Sequence, residues 1–284
     1  METNEYMKAS DLISGIEAEY VESANQVVGK SNVELIATDP ANPDVRLVRV
    51  QETHLGDYCA DAYRAVTGAD IGFSNGGGIR ANIGKGDITY GMFISVHPYC
   101  NEICMTEATG QDILDALELG VTDYPNASGG FLQVSGLTYE IHSYIPSSVK
   151  LDENEAFAGV EGEYRVKNVT VNGEPLDLNK TYTLATNNYI IKNGGDGYNM
   201  FMDNKLLLDS ISLDNAALIT YLNEHLGGVI GEEYAEPQGR ITIVDAPSSD
   251  NTAAVPSTGN ADVSVIFSII ALSGTAMLIS RRRK

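Results

Sequence analysis

Helical and strand periodicities interleave along this chain without a repeating strand–helix unit, and that irregular order narrows the possible folds more than any other feature. Apolar residues recur at helical spacing over residues 52–67, through Leu55, Cys59, Ala62, Tyr63 and Val66, and Gly68 ends the run. Residues 71–74 follow as a short strand. Thr109 and Asp112 frame a capping box, because the Thr109 hydroxyl can accept the backbone N–H of Asp112. The helix it opens turns Ile113, Leu114, Leu117 and Val121 inward. Strand-like segments occupy 33–37, 46–50, 132–141 with a break at Gly136, 181–186 and 240–244. Asn172-Gly173 predicts a tight hairpin, since both residues tolerate positive φ. A last helix is expected over 215–226. A long amphipathic one is expected over 4–29, with Leu12, Ile13, Ile16, Tyr20 and Val21 on one stripe. The sum is an α+β fold, a mixed β-sheet with packed helices.

The 284 residues are 43% hydrophobic, enough for a packed core in one large domain or two small ones. Acidic residues number 39 against 18 basic, for a formal net charge of −21. Such a surface repels a phosphate backbone, which excludes a nucleic-acid polymer as partner. A small anion held by a few placed arginines stays open. Cys59, Cys100 and Cys104 form no disulfide framework, and Cys100 and Cys104 lack the neighbouring ligands of a zinc site. All three read as plain thiols.

Two glycine-rich loops at strand ends are the sharpest internal signals. In Asn75-Gly76-Gly77-Gly78-Ile79-Arg80, three glycines let a ligand approach the backbone and leave N–H groups free to bond it. Asn75 adds a donor and an acceptor, and Arg80 a planar cation suited to phosphate or carboxylate. The spacing matches neither a dinucleotide fingerprint nor a P-loop. The second loop, Asn193-Gly194-Gly195-Asp196-Gly197-Tyr198, offers one carboxylate, Asp196, for ribose hydroxyls. On the residues alone, each loop is either a ligand site or a plain turn.

Taken together, the motifs resemble the C-terminal domain of the 5'-nucleotidase / UDP-sugar hydrolase family, from about residue 32 to residue 243. They are Arg49 with Glu52-Thr53-His54-Leu55-Gly56-Asp57, the Asn75–Arg80 loop, His97-Pro98-Tyr99, the run from Gly129 to Gly136, and the Asn193–Tyr198 loop. The resemblance implies a nucleoside-binding domain whose partner, an N-terminal metallophosphatase domain, cuts the phosphate. It implies that Arg49 and Arg80 contact the phosphate and that Asn75, Gly77 and Gly78 bind the ligand. Gly129 would lie against the ligand, and Asp196 would hold the ribose. Tyr99 matches the first of two rings that sandwich the base, where the family usually has Phe. Tyr189 is the candidate for the second, but it stands one residue further from Asp196 than the family pattern, which puts Ile190 there. Either the loop absorbs an extra residue, or the base is clamped on one side only.

No cofactor is expected on this chain. The family's divalent metal ions belong to the metallophosphatase half. His54, His97, His142 and His225 are scattered, and none sits in that half's Asp-x-His or Gly-Asn-His motifs. The implied ligands are nucleosides, nucleoside monophosphates or related nucleotides.

The two ends point to location. Residues 1–10 show no secretory signal. Residues 246–262 form a Pro/Ser/Thr linker, and residues 263–284 an apolar segment with a basic tail, expected to make a hydrophobic helix. Within the linker, Val255-Pro256-Ser257-Thr258-Gly259 resembles a sortase sorting signal, with Val255 where Leu is usual. The resemblance implies cleavage between Thr258 and Gly259, with sortase and peptidoglycan as partners. A plain membrane anchor is the alternative. Both put the folded body outside the cell, on a Gram-positive-type surface. An anchor without an export signal leads to the expectation that a front half is missing and that residues 1–30 joined it to a domain spanning 31–245. A free-standing surface nucleotide-binding module or adhesin is the competing reading. A self-contained enzyme using His54 and Asp57 lacks a sequence-level constellation of nucleophile, base and orienting group.

Overall fold

The computed structural model describes residues 19–246. Within them the chain is mixed α+β, as expected. After helical turns at 19–24 come β1 (Val27–Ser31), α1 (His54–Thr67), β2 (Ile71–Asn75), β3 (Gly86–Thr89), α2 (Tyr90–Val96) and β4 (Ile103–Thr109). Next are α3 (Gly110–Gly120), β5 (Leu132–Ser135), β6 (Leu137–His142), β7 (Val149–Leu151), β8 (Phe157–Val160), β9 (Val166–Val171) and β10 (Glu174–Pro175). The chain continues through β11 (Thr181–Asn187), α4 (Asn188–Ile191), β12 (Leu206–Leu208), α5 (Asp214–Thr220), β13 (Val229–Ile230) and β14 (Ile241–Val244).

The central sheet runs β12-β4-β11-β2-β5. Strands β2 and β11 are parallel, with Leu184 opposite Ile71, while β4 and β5 are antiparallel to their neighbours. Every residue of β2 is buried, so the strand is covered on both faces. Strand β14, expected to close the sheet, instead pairs parallel with β6 in a second sheet of order β10-β9-β6-β14. Val28, Leu218, Leu222 and Ile230 belong to a separate apolar cluster, under the small sheet β13-β1-β3.

Local chemistry explains the elements the spacing predicted. Helix α1 starts where the Thr53 hydroxyl accepts Gly56 N–H at 3.1 Å, and stops where Gly68 turns left-handed at φ 71°. The capping box of α3 is complete in both directions, at 3.1 and 2.8 Å. Asn172 and Gly173 both take positive φ in the β9–β10 turn, and Gly136 does so between β5 and β6.

Three of the expected elements fail. The helix expected over 4–29 ends by residue 24, and Gly29 lies inside β1. Residues 33–37 form no strand; only Leu35 makes a bridge, to Ile83. Residues 46–50 form a 3₁₀ turn, Leu47–Arg49, because Val48 N–H is taken by Ala37 and its carbonyl by the Gln133 amide. The last helix forms where expected, α5 running on into a π turn over Tyr221–His225. The Val255–Gly259 motif, the apolar segment at 263–284 and the start of the N-terminal helix lie outside the described residues. Among the described residues no helix is long and apolar enough to cross a membrane.

Candidate functional site

Parallel strands β2 and β11 bring their carboxyl ends to the same edge of the central sheet, where open sheets commonly bind ligands. Asn75 ends β2 and Asn187 ends β11; both are buried. The two glycine-rich loops leave from these ends. Around them opens a cleft of about 420 Å³, lined by Arg49, Asn75, Gly77, Gly78, Tyr99, Asn101, Gly129, Tyr189 and Asp196. The structure thus brings together every sequence candidate except Arg80, which stands at the rim with its guanidinium 5.9 Å from the Tyr99 ring centroid.

The glycines do not work as expected. Gly76 N–H donates to Phe131 O at 2.7 Å, Gly77 N–H to Gly129 O at 2.8 Å and Gly78 N–H to Asn75 O at 2.9 Å. No amide of the triplet is left for an anion. Close approach is what demands glycine here: a Cβ on Gly76 would sit 2.4 Å from Val48 O, and one on Gly77 3.1 Å from Gly129 O. The triplet lets three backbone segments pack together and so shapes the cleft floor.

Gln133 sets the depth of that floor. Fully buried on β5, it accepts Thr53 N–H at 3.0 Å and donates to Val48 O and Gln51 O at 3.0 and 2.8 Å. Ser128 N–H donates to Arg49 O at 3.0 Å, tying the turn to the Gly129 loop. The 3₁₀ geometry brings side chains three apart onto one side, so Arg46, at the start of the turn, joins Arg49. Sequence reading missed Arg46 because it took the segment as a strand. Asn101 carried no sequence signal at all.

The arginines form an unpaired cluster. Among the described residues, none of Arg46, Arg49 and Arg80 has a carboxylate within ion-pair distance, in a chain with more than twice as many acids as bases. The Nε atoms of Arg46 and Arg49 are buried without partners. One Arg46 nitrogen reaches Ile79 O. Burial, then the positive charges of Arg80 and Arg49, hold the Arg46 guanidinium below its ordinary value. Such an arrangement is costly unless an anion completes it.

The carboxylate group is knotted instead. Asn187 Nδ2 donates to Asn75 Oδ1 at 3.2 Å, and Asn75 Nδ2 donates to Asp196 Oδ2 at 3.0 Å. Tyr189 donates its hydroxyl proton to Asp196 Oδ1 at 3.0 Å. Tyr99 is 59% exposed, leaving its ring open to a planar partner. Its loop is pinned by the buried His97, whose Nδ1 lies 3.0 Å from Gly78 O and Nε2 3.2 Å from Tyr63 OH. Tyr198 is fully buried and donates to Gly130 O, a packing role.

The histidines fit no metal. His54 sits between Ile36 N and Tyr234 O, His97 between Gly78 and Tyr63, and His142 between Glu140 and Tyr144. Among the described residues no three His, Cys, Asp or Glu side chains stand close enough to hold one.

Known proteins resemble this chain in sequence and fold. A trifunctional nucleotide phosphoesterase of Bacillus subtilis is 34% identical over 207 residues, covering 71% of this chain and 13% of that protein. A cell wall protein of Listeria monocytogenes is 31% identical over 212 residues, 70% of this chain and 25% of its own length. The crystal structure of a 5'-nucleotidase precursor from Thermus thermophilus superposes with a TM-score of 0.67 at 32% identity, over 85% of this chain and 44% of that one. The chain thus spans less than half the length of each. The family described as 5'-nucleotidase, C-terminal domain, matches residues 27–203. With that match over more than half of the chain and the shared fold, this chain belongs to the 5'-nucleotidase C-terminal domain family.

Proposed function

We propose that the cleft recognises a nucleoside 5'-monophosphate or a closely related nucleotide at a cell surface. The observation that carries this reading is the cluster of Arg46, Arg49 and Arg80, which among the described residues has no carboxylate at ion-pair distance, and of which Arg49 lines the cleft that also holds an exposed aromatic ring and an oriented carboxylate. The guanidinium groups suit phosphate, whose oxygens accept from the planar fork. Tyr99, backed by Arg80, takes the base. Asp196, with Asn75 beside it, accepts from the ribose hydroxyls.

Cleavage of the phosphate ester, with its divalent ions, is assigned to a metallophosphatase domain that this domain serves by selecting the substrate. The names of the Bacillus and Thermus relatives support that assignment, as does their greater length. Surface attachment through Val255, Pro256, Thr258 and Gly259 by a sortase is part of the same reading, supported by the cell wall relative.

Calorimetric titration of the full chain with adenosine, AMP and ribose 5-phosphate tests it. The expected result is binding of adenosine and tighter binding of AMP, with the AMP advantage shrinking as salt is raised. Failure to bind any nucleoside or nucleotide overturns the reading.

A further inference from the structure

The carboxylate group of the cleft closes into a ring of bonds that begins and ends on the four-residue helix α4. Its N-cap, Asn187, holds Ile190 N–H at 3.1 Å through Oδ1 and donates to Asn75 at 3.2 Å. Asn75 donates to one oxygen of Asp196. The second residue of the helix, Tyr189, returns from the other side. Its hydroxyl donates to the other Asp196 oxygen at 3.0 Å and lies 3.2 Å from Asp196 N–H, which it can accept. Asp196 has φ 54°, a left-handed conformation unfavourable for a residue with a Cβ unless the surroundings hold it. One face of the Tyr189 ring covers Gly195, where a Cβ would stand 2.3 Å from two ring carbons. Ile190, at the position the family spacing gives to a second ring, is fully buried.

We propose that Tyr189 is a positioning residue: through its hydroxyl it clamps Asp196 in the left-handed conformation and aims the carboxylate at the ribose diol. This rests on the nucleoside reading of the cleft and deepens it. The clamp accounts for the extra residue between Tyr189 and Asp196, which gives the hydroxyl room to reach both the carboxylate and the amide of the same residue. Each Asp196 oxygen keeps a lone pair for a ribose hydroxyl while its orientation is fixed by a protein donor. Stacking of the base falls to Tyr99.

The test compares adenosine with 2',3'-dideoxyadenosine, which lacks the diol, on the full chain and on Tyr189→Phe, which keeps the ring and loses the hydroxyl. The clamp predicts that Tyr189→Phe weakens adenosine about tenfold, the scale of one hydrogen bond to a charged group, and leaves the dideoxynucleoside unchanged. Gly195→Ala, which drives the ring off its seat, gives the same pattern. Equal losses for both nucleosides, or none for either, overturn the proposal. A second readout needs no ligand: hydrogen exchange of the Asp196 amide is slow in the native chain and accelerates in Tyr189→Phe. Unchanged exchange overturns the clamp. A native chain that binds both nucleosides equally contradicts the ribose reading instead, and the exchange result then judges the clamp alone.

Discussion

Two sets of arginines in this molecule differ in one respect. Arg165 and Arg240 are structural and their donors are used. Arg165, 4% exposed, donates to the carbonyls of Val121, Tyr124 and Ile145. Arg240 donates to Asp61 at 2.8 Å and to Val134 O at 2.7 Å, and stands 3.7 Å from Asp57. Arg46 and Arg49 are partly buried too, yet among the described residues each keeps a buried Nε without partner. In so acidic a chain, an arginine cluster with no acid beside it among the described residues supports the proposed seat for an anion.

The sharpest way to break this comparison is to delete one arginine from each set. Arg240→Ala strips Asp61 of its cation and leaves a partly buried carboxylate behind. It should lower the unfolding free energy by about 3 kcal/mol or more in urea titration. A loss below about 1 kcal/mol would put Arg240 on a par with the cleft arginines.

The same network gives the next effect, through Asp57. Burial pushes its carboxyl up to about 8, against the pull of Arg240. In the unfolded chain it ionises near its ordinary 3.8, so between about pH 4 and 8 the native state holds a proton that the unfolded state has lost. Stability from this group therefore falls as pH rises through that window. Asp57→Asn removes the dependence, so the variant gains on the native chain from pH 5 to pH 8 in paired urea titrations. A gain toward acid would reverse the assignment.

Arg49→Ala should behave as Arg240→Ala does not. AMP affinity falls about tenfold or more, adenosine affinity holds, and unfolding free energy stays within about 0.5 kcal/mol of native. A stability loss comparable to that of Arg240→Ala would erase the distinction. Smaller again, Tyr99→Ala should cost about 1 kcal/mol of nucleoside affinity, the low end for a stacked base, while Tyr99→Phe costs little, both read by calorimetry. Equal losses in the two variants would move the base contact elsewhere.

Much of this cleft was legible in the sequence because its parts announce themselves locally. Glycine triplets, a capping threonine and Asn-Gly turns act through their own backbone and need no distant partner, so α1, α3 and the β9–β10 hairpin form where the spacing puts them. What was misread depends on distant bonds. Arg46-Leu47-Val48-Arg49-Val50 alternates weakly enough to pass for a strand, and bonds from elsewhere, to Ala37, to Ser128 and to Gln133 more than eighty residues away, hold it as a turn. That error hid Arg46, since an extended chain would send residues three apart to opposite faces. The fate of the Gly76 and Gly77 amides was equally hidden, because their acceptors at Phe131 and Gly129 come from another loop.

The account stands most directly on a crystal structure of the chain grown with AMP. It predicts the phosphate within hydrogen-bond reach of Arg46, Arg49 and Arg80, the base against Tyr99, and the ribose on Asp196. A nucleotide bound with its phosphate away from the three arginines, or a cleft left empty at saturating AMP, would contradict it.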